Sequence, residues 1–514
     1  MAKGRVSLLA VLSIVAALTG AARGADSDAG TRPLATLEAA LGRALPSLLD
    51  RYRVPGASIA VLHRGRVAWE HAAGVADRRS RLALSPEASF QVASLSKPVA
   101  ALGVLLLAEE GRIDLDRPVW DYIESWRPPP SPYDLDGVTA RRLLSHRGGV
   151  GLHGYPGVVP EQPLPTLLAS LGGETAGAGR VELVSEPGAR ALYSSGGYTI
   201  LQLLIEESSG EPFASFMARR VLGPLGMTRS SFEPGGAVAA AATGHGWWGG
   251  PLPAYRFREQ ASSGLRSTAG DLARFLTVLS SPEAQAAVGI SAAMVESMLR
   301  PPEGGGYALG FAVEPPPTRL PTGQPVPPLR IVSHTGANRG FRSILAVAPD
   351  RGDGFVALTN SDRALAMTSD LLCVWGRWVS DVELASCWAE GRRRGTLLAV
   401  AGMIGLGVLM DGGALVERLR RARIEPRPRW APGPRHGWTG WPRASFSIVL
   451  LAGWWLFWYS DEVAIRREGI AHFVPASSLP PTFFWLTAVL SAWCLLGIAR
   501  WLVVARPDRR GAAG

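Results

Sequence analysis

The chain has 514 residues, 47% of them hydrophobic, a mean hydropathy of +0.12 and a formal net charge of +10. All of that charge lies near the C-terminus, because residues 1–390 hold 36 basic and 36 acidic groups whereas 391–514 hold 17 arginines against 7 acids. An electroneutral body gives no nucleic-acid signal, and a chain without Cys-x-x-Cys or His-Glu-x-x-His gives no metal signal, so neither nucleic acid, metal nor cofactor is expected.

At the N-terminus, Lys3 and Arg5 precede a mostly apolar run, Val6 to Leu18, and small residues at Ala22 and Gly24. This pattern predicts a signal peptide over 1–24, with a retained membrane anchor as the alternative, and a linker over 25–34. Leu37 to Leu49 carries apolar residues at helical spacing. Ala57–Leu62 and Arg66–Glu70, separated by His63-Arg-Gly65, predict a β-hairpin. Val99 to Ala108 reads as a buried helix. Helical segments follow at Thr199–Glu207 and Phe213–Val221, and Thr268 is placed to cap a helix running to Leu279. Gly310–Val313, Ile331–His334, Ser343–Ala348 and Gly354–Leu358 predict strands, and Ala364–Val374 a closing helix. Strands at both ends with helices between them predict an α+β fold, a sheet interrupted by a helical subdomain.

Beyond residue 390 three apolar segments, about 396–411, 444–460 and 482–505, are expected to be transmembrane helices. The loop between the first two holds eight arginines, Arg418 to Arg443, and Arg506, Arg509 and Arg510 follow the third. Placing these in the cytoplasm puts 25–395 outside, although Arg392-Arg-Arg394 then falls on the wrong side. The expected domains are therefore a catalytic domain over 35–390 and a transmembrane module over 391–514. Cys373 and Cys387 could pair if exported or remain two buried thiols; both readings stay open.

The chain has 53 basic residues and only two are lysines, Lys3 and Lys97. Lys97 closes a Ser94-Leu-Ser-Lys97. With one lysine beyond the N-terminus, a serine three positions earlier arises by chance about one time in fifteen. Positions i and i+3 share a helix face, and a neutral lysine there can take the serine proton as the oxygen attacks a carbonyl. Arginine could not do so, because it does not release its proton.

Further segments occur in a fixed order. After Phe90-Gln-Val-Ala-Ser94-Leu-Ser-Lys97 come Leu107–Asp116, Leu143-Leu-Ser-His-Arg-Gly-Gly149, Glu186-Pro-Gly188, Tyr193-Ser-Ser195, Pro224-Leu-Gly-Met227, Gly264–Leu272 and His334-Thr-Gly336. Over roughly 35–385 this resembles the serine β-lactamase/penicillin-binding-protein superfamily, nearest its class C β-lactamase, D-aminopeptidase and esterase branch. The resemblance implies a mostly antiparallel sheet flanked by helices, Ser94 as acylated nucleophile, Lys97 as base, and Tyr193 as proton shuttle. It implies an oxyanion hole from the backbone N–H groups of Ser94 and Ala337, and substrate contacts at Ser195, His334, Thr335 and Gly336. Lys97 is expected to hold Tyr193 partly ionised as a coupled pair.

Two positions depart from the family's antibiotic-directed members. Ser195 stands where they carry Asn, and His334 where many carry Lys, so an acylamide contact and a fixed cation are both lost. The chain is expected to be a membrane-tethered extracytoplasmic serine hydrolase acting on an ester, amide or lactam carbonyl. The alternative is a sensor of β-lactams or cell-wall peptides, acylated on Ser94 and slow to turn over. Ser145 and His146 are read as structural residues.

Overall fold

Apolar side chains alternate along strand β1 (Gly56–His63), sending Ala57, Ile59 and Val61 to one side and Ala60 and Leu62 to the other. Both sides are covered, which is why the strand reads as an unbroken apolar run. The computed structural model describes residues 32–234, 241–302, 306–315, 329–380 and 384–387, isolated positions between 402 and 430, and 488–495 and 503–504.

Helix α1 (Leu34–Tyr52) leads into β1, and Arg64 and Gly65, both at positive φ, turn the chain into β2 (Arg66–Asp77). Consecutive positive-φ residues suit a two-residue hairpin. β3 (Leu82–Ala83) closes that edge. A second, two-stranded pairing joins β4 (Phe90–Gln91) to β5 (Arg266–Ser267). Between these strands lie α2 (Ser96–Glu109), α3 (Ala140–Leu144), α4 (Leu167–Leu171), α5 (Ser195–Ser209) and α6 (Phe213–Met217). Helices α7 (Ala269–Thr277), α8 (Pro282–Val288) and α9 (Ala292–Leu299) follow β5. Strands β6 (Ala312–Val313), β7 (Val332–Asn338), β8 (Phe341–Ala348) and β9 (Asp353–Thr359) and helix α10 (Leu365–Ser380) complete the sequence.

The main sheet has the order β3-β2-β1-β9-β8-β7-β6, and each neighbouring pair is antiparallel. The terminal helices α1 and α10 cover one face: Leu37, Leu41 and Leu45 meet Ile59, Phe355 and Trp375 there. The opposite face packs on α7 and continues into the helical subdomain. Helix α2 is buried from Ser96 to Leu107 because it runs between that subdomain and the sheet. Thr268 Oγ1 accepts from the Asp271 N–H at 3.1 Å and starts α7 at the expected cap. Cys373 in α10 is joined by a disulfide to Cys387.

The membrane expectations are corrected. No helix among the described residues is long and apolar enough to cross a membrane. The described helical stretch nearest the C-terminus, 488–495, rises about 12 Å, whereas a hydrocarbon core is about 30 Å thick. The three transmembrane helices, the tethering and membrane-embedded C-terminus built on them, and the multi-pass cytoplasmic-membrane location are therefore withdrawn. Apolar length and arginine asymmetry suggested them, and neither specifies a spanning helix. The expected spans fall mostly outside the described residues, as does the expected signal peptide.

Candidate active site

Ser94 is delivered by a tight turn. Ala93 takes a left-handed φ of 52°, costly for a residue with a Cβ, and the 3₁₀ turn Ala93–Leu95 then runs directly into α2. Ser96 pins this turn, its hydroxyl donating to the Ala93 carbonyl at 2.6 Å and accepting from the Leu265 N–H at 3.0 Å. Lys97, one turn further on, is fully buried. Its Nζ lies 3.0 Å from Ser94 Oγ and donates to the Ser262 carbonyl at 2.9 Å.

Burial holds the Lys97 pKa well below the ordinary 10.5. Its Nζ also stands 5.0 Å from the Tyr193 ring centroid and 5.7 Å from that of Tyr198, whose faces favour a cation. Tyr193 hydrogen-bonds Ser94, yet burial raises its pKa above 10.0. Desolvation thus disfavours the charged form of both groups, the tyrosinate and the lysine ammonium. In its unprotonated form Lys97 can accept the Ser94 proton.

The third box enters from β7. Beyond Ser333, which pairs with Ala312 of β6, this edge of the strand pairs with no other strand among the described residues, and Thr335 and Ala337 are exposed. Gly336 faces inward and has no room for a side chain. A Cβ there would meet Ser343 Oγ at 2.2 Å and the Val92 carbonyl at 2.4 Å. The Ser94 turn and β7 therefore approach as closely as backbone permits.

A cleft of about 280 Å³ lies between them, lined by Ser94, His153, Gly154, Tyr193, Ser195, Ser263, Tyr307, Thr335 and Ala337. No lining side chain carries a fixed charge. Ser195 begins α5, capped by Ser194, and its hydroxyl donates to the His153 carbonyl at 2.7 Å. His334 is buried, its Nδ1–H donating to the Thr335 carbonyl at 2.7 Å, so Nε2 is left as a lone-pair acceptor. Burial, aided by Lys97, pushes its pKa down to about 3.

Of the expected residues, Ser94, Tyr193, Ser195, Thr335 and Ala337 line one cleft, Lys97 lies beneath it, Gly336 sets its width, and His334 stands behind its wall. Sequence reasoning missed Ser263 and Tyr307, and noticed His153 without assigning it to the site. It also read His146 as only structural. His146 Nδ1 accepts from the Ser194 N–H at 3.1 Å, and its ring lies 4.3 Å from that of Tyr193. The ring of His153 is 4.9 Å from Tyr193, and burial lowers its pKa to about 4. The shared box with Ser145 was the available signal for His146; Ser263 arrives on a single π-helical turn and Tyr307 from a loop, neither with a periodic signal. No group of residues suited to a metal ion occurs among the described residues.

The family model described as Beta-lactamase matches residues 41–370. The chain belongs to the beta-lactamase family. It is 30% identical over 176 residues to penicillin-binding protein 4* of Bacillus subtilis (strain 168), covering 32% of this chain and 35% of that protein. It is 28% identical over 214 residues to esterase EstB of Burkholderia gladioli, covering 40% and 54%. The match thus spans between a third and a little over half of these relatives' length. Among solved structures, the penicillin-binding protein homologue from Pyrococcus abyssi aligns with a TM-score of 0.53 at 26% identity, over 65% of this chain and 77% of that one. These likenesses establish an antiparallel α+β fold shared with a family of hydrolases and penicillin-binding proteins.

Proposed function

We propose that this protein is a serine hydrolase that forms an acyl-enzyme on Ser94 and prefers ester or amide substrates without a carboxylate beside the scissile carbonyl. The observation that carries the reading is the buried side chain of Lys97, its Nζ 3.0 Å from Ser94 Oγ and its pKa lowered by desolvation.

Ser94 Oγ attacks the carbonyl carbon and its proton passes to Lys97 Nζ. The N–H groups of Ser94 and Ala337 receive the developing oxyanion. Tyr193, a phenol at neutral pH, gives its proton to the leaving oxygen or nitrogen and regains one from the Lys97 ammonium. In the second half, water attacks the acyl carbon, its proton travels through the Tyr193 hydroxyl to Lys97, and Ser94 leaves with the proton returned. Each group ends as it began.

Substrate preference follows from what the cleft lacks. Neutral His334 stands behind the cleft wall, and none of the lining residues supplies a positive charge to grip a carboxylate. The EstB likeness supports an ester substrate.

The test is a panel of p-nitrophenyl esters, D-amino-acid amides and nitrocefin, run beside Ser94→Ala. The reading requires Ser94-dependent turnover of at least one neutral ester or amide. A stoichiometric burst without turnover would instead identify a slow acyl acceptor, and no reaction at Ser94 would remove the proposal.

A further inference from the structure

Among the buried acids that the mechanism does not use is Glu259. Glu259 is 1% exposed and immediately precedes a π-helical turn, residues Gln260–Gly264, whose Ser262 carbonyl accepts from Lys97. Such turns are rare and concentrate at functional sites. The backbone carbonyl of Glu259 accepts from the N–H groups of Ser262 and Ser263 at 3.2 and 3.1 Å and from Ser262 Oγ at 3.1 Å. The turn is thus folded onto Glu259 itself.

The side chain then fixes this residue to the helical subdomain. Glu259 Oε1 accepts from Ser170 Oγ and, at 2.9 Å, from Thr175 Oγ1. On the other flank Gln202 of α5 clamps the same turn, accepting from the Ala261 N–H at 3.2 Å and donating to the Arg258 carbonyl at 3.2 Å.

The geometry points to Glu259 as a positioning residue that, by anchoring the π-turn to the Ser170–Thr175 segment, holds the Ser262 carbonyl against Lys97 Nζ and so tunes the base. This rests on reading Lys97 as the base. A carbonyl acceptor stabilises the ammonium more than the amine, so it opposes the burial that lowers the lysine pKa. Without it the amine would be a weaker base and free to turn from Ser94.

The groups facing Lys97 are Tyr193, Tyr198, His146, His153 and His334, and none is a carboxylate. Those facing Glu259 are Ser170, Thr175, Tyr155 and Arg258. The acid therefore reaches Lys97 through the turn and not through a direct contact.

The composition offers a direct readout. The full chain labelled with isotopic lysine carries only two labelled residues, Lys3 and Lys97, and Lys97→Met assigns the second signal. Glu259→Ala is expected to lower the titration midpoint of Lys97 by about one pH unit and kcat by about ten-fold, with KM within about two-fold. Glu259→Gln, which keeps the Oε1 acceptor, should recover most of the shift. An unchanged Lys97 midpoint in a folded Glu259→Ala protein overturns the inference, since a merely structural acid would lower only thermal stability. If that variant does not fold, the pair Ser170→Ala and Thr175→Val removes both donors and is read the same way: a downward shift supports the inference and no shift overturns it. The lysine signal belongs to the resting protein, so it answers even if no substrate on the panel is turned over.

Discussion

Lys97 Nζ stands 3.0 Å from the Ser94 hydroxyl, with its other hydrogen bond given to the Ser262 carbonyl. Lys97→Arg keeps much of the length but is a permanent cation and cannot accept a proton. Acylation of Ser94 should fall by about 10²–10⁴, measured as the burst rate with a p-nitrophenyl ester. Wild-type rates in that variant would remove lysine from the base role. In the wild-type protein the rate should rise with pH through the depressed lysine pKa.

Tyr193→Phe removes the hydroxyl that hydrogen-bonds Ser94 and that, in the proposed mechanism, passes protons between the leaving group and Lys97. Turnover should fall by about 10²-fold or more, with the acyl adduct accumulating on Ser94. Intact-protein mass spectrometry after substrate addition detects the adduct; its absence alongside fast turnover contradicts the shuttle.

His334, held down to about 3 by burial, makes stability depend on acid. From about pH 6.5 downward the unfolded chain binds a proton that the native site refuses, so its stabilising contribution is complete above pH 6.5 and is lost progressively towards pH 3. His153, at about 4, acts in the same direction. Tm should drop as pH falls from 7 to 4, and His334→Gln should flatten that drop. A variant with the full wild-type slope would show that other groups govern the acid transition.

His334→Lys places a cation where the lone pair of Nε2 now lies. The ratio of kcat/KM for nitrocefin to that for a neutral p-nitrophenyl ester should rise by about ten-fold, a typical return for one charge-assisted contact. A ratio that stays constant or falls would argue against charge at this position as the discriminator.

The disulfide ties α10 to residues 384–387 on the sheet face away from the cleft. Its sequence separation of 14 residues corresponds to about 3 kcal/mol of chain entropy in the unfolded state. Cys373→Ser should lower the denaturation midpoint accordingly while leaving kcat/KM at room temperature within about two-fold of wild type. A matching loss of activity would reveal coupling between α10 and the site.

The local parts of this molecule were legible in the sequence because they are encoded locally. Short apolar runs located β8 and β9, the spacing Leu37, Leu41, Leu45 located α1, and Ser94 and Lys97 sit one turn apart. What the sequence hid depends on chain reversal. His153 meets Ser195 through a contact 42 residues long, and Ser262 reaches Lys97 across 165. The disulfide stayed open because pairing depends on distance, which spacing does not encode. Hydropathy misled at the C-terminus, where apolar length was taken for a spanning helix.

Gly336 also sets the terms on which this cleft could be redesigned. Because β7 and the Ser94 turn are already at backbone contact, altering the side chain at 336 would move the strand that carries Ala337, and with it the pocket for every substrate alike. Selectivity can be rewritten at Ser263, Tyr307 and Ser195, which line the cleft. A mutant library that randomises the rim and holds 336 constant would sample new specificities; one that includes 336 would mostly sample broken enzymes.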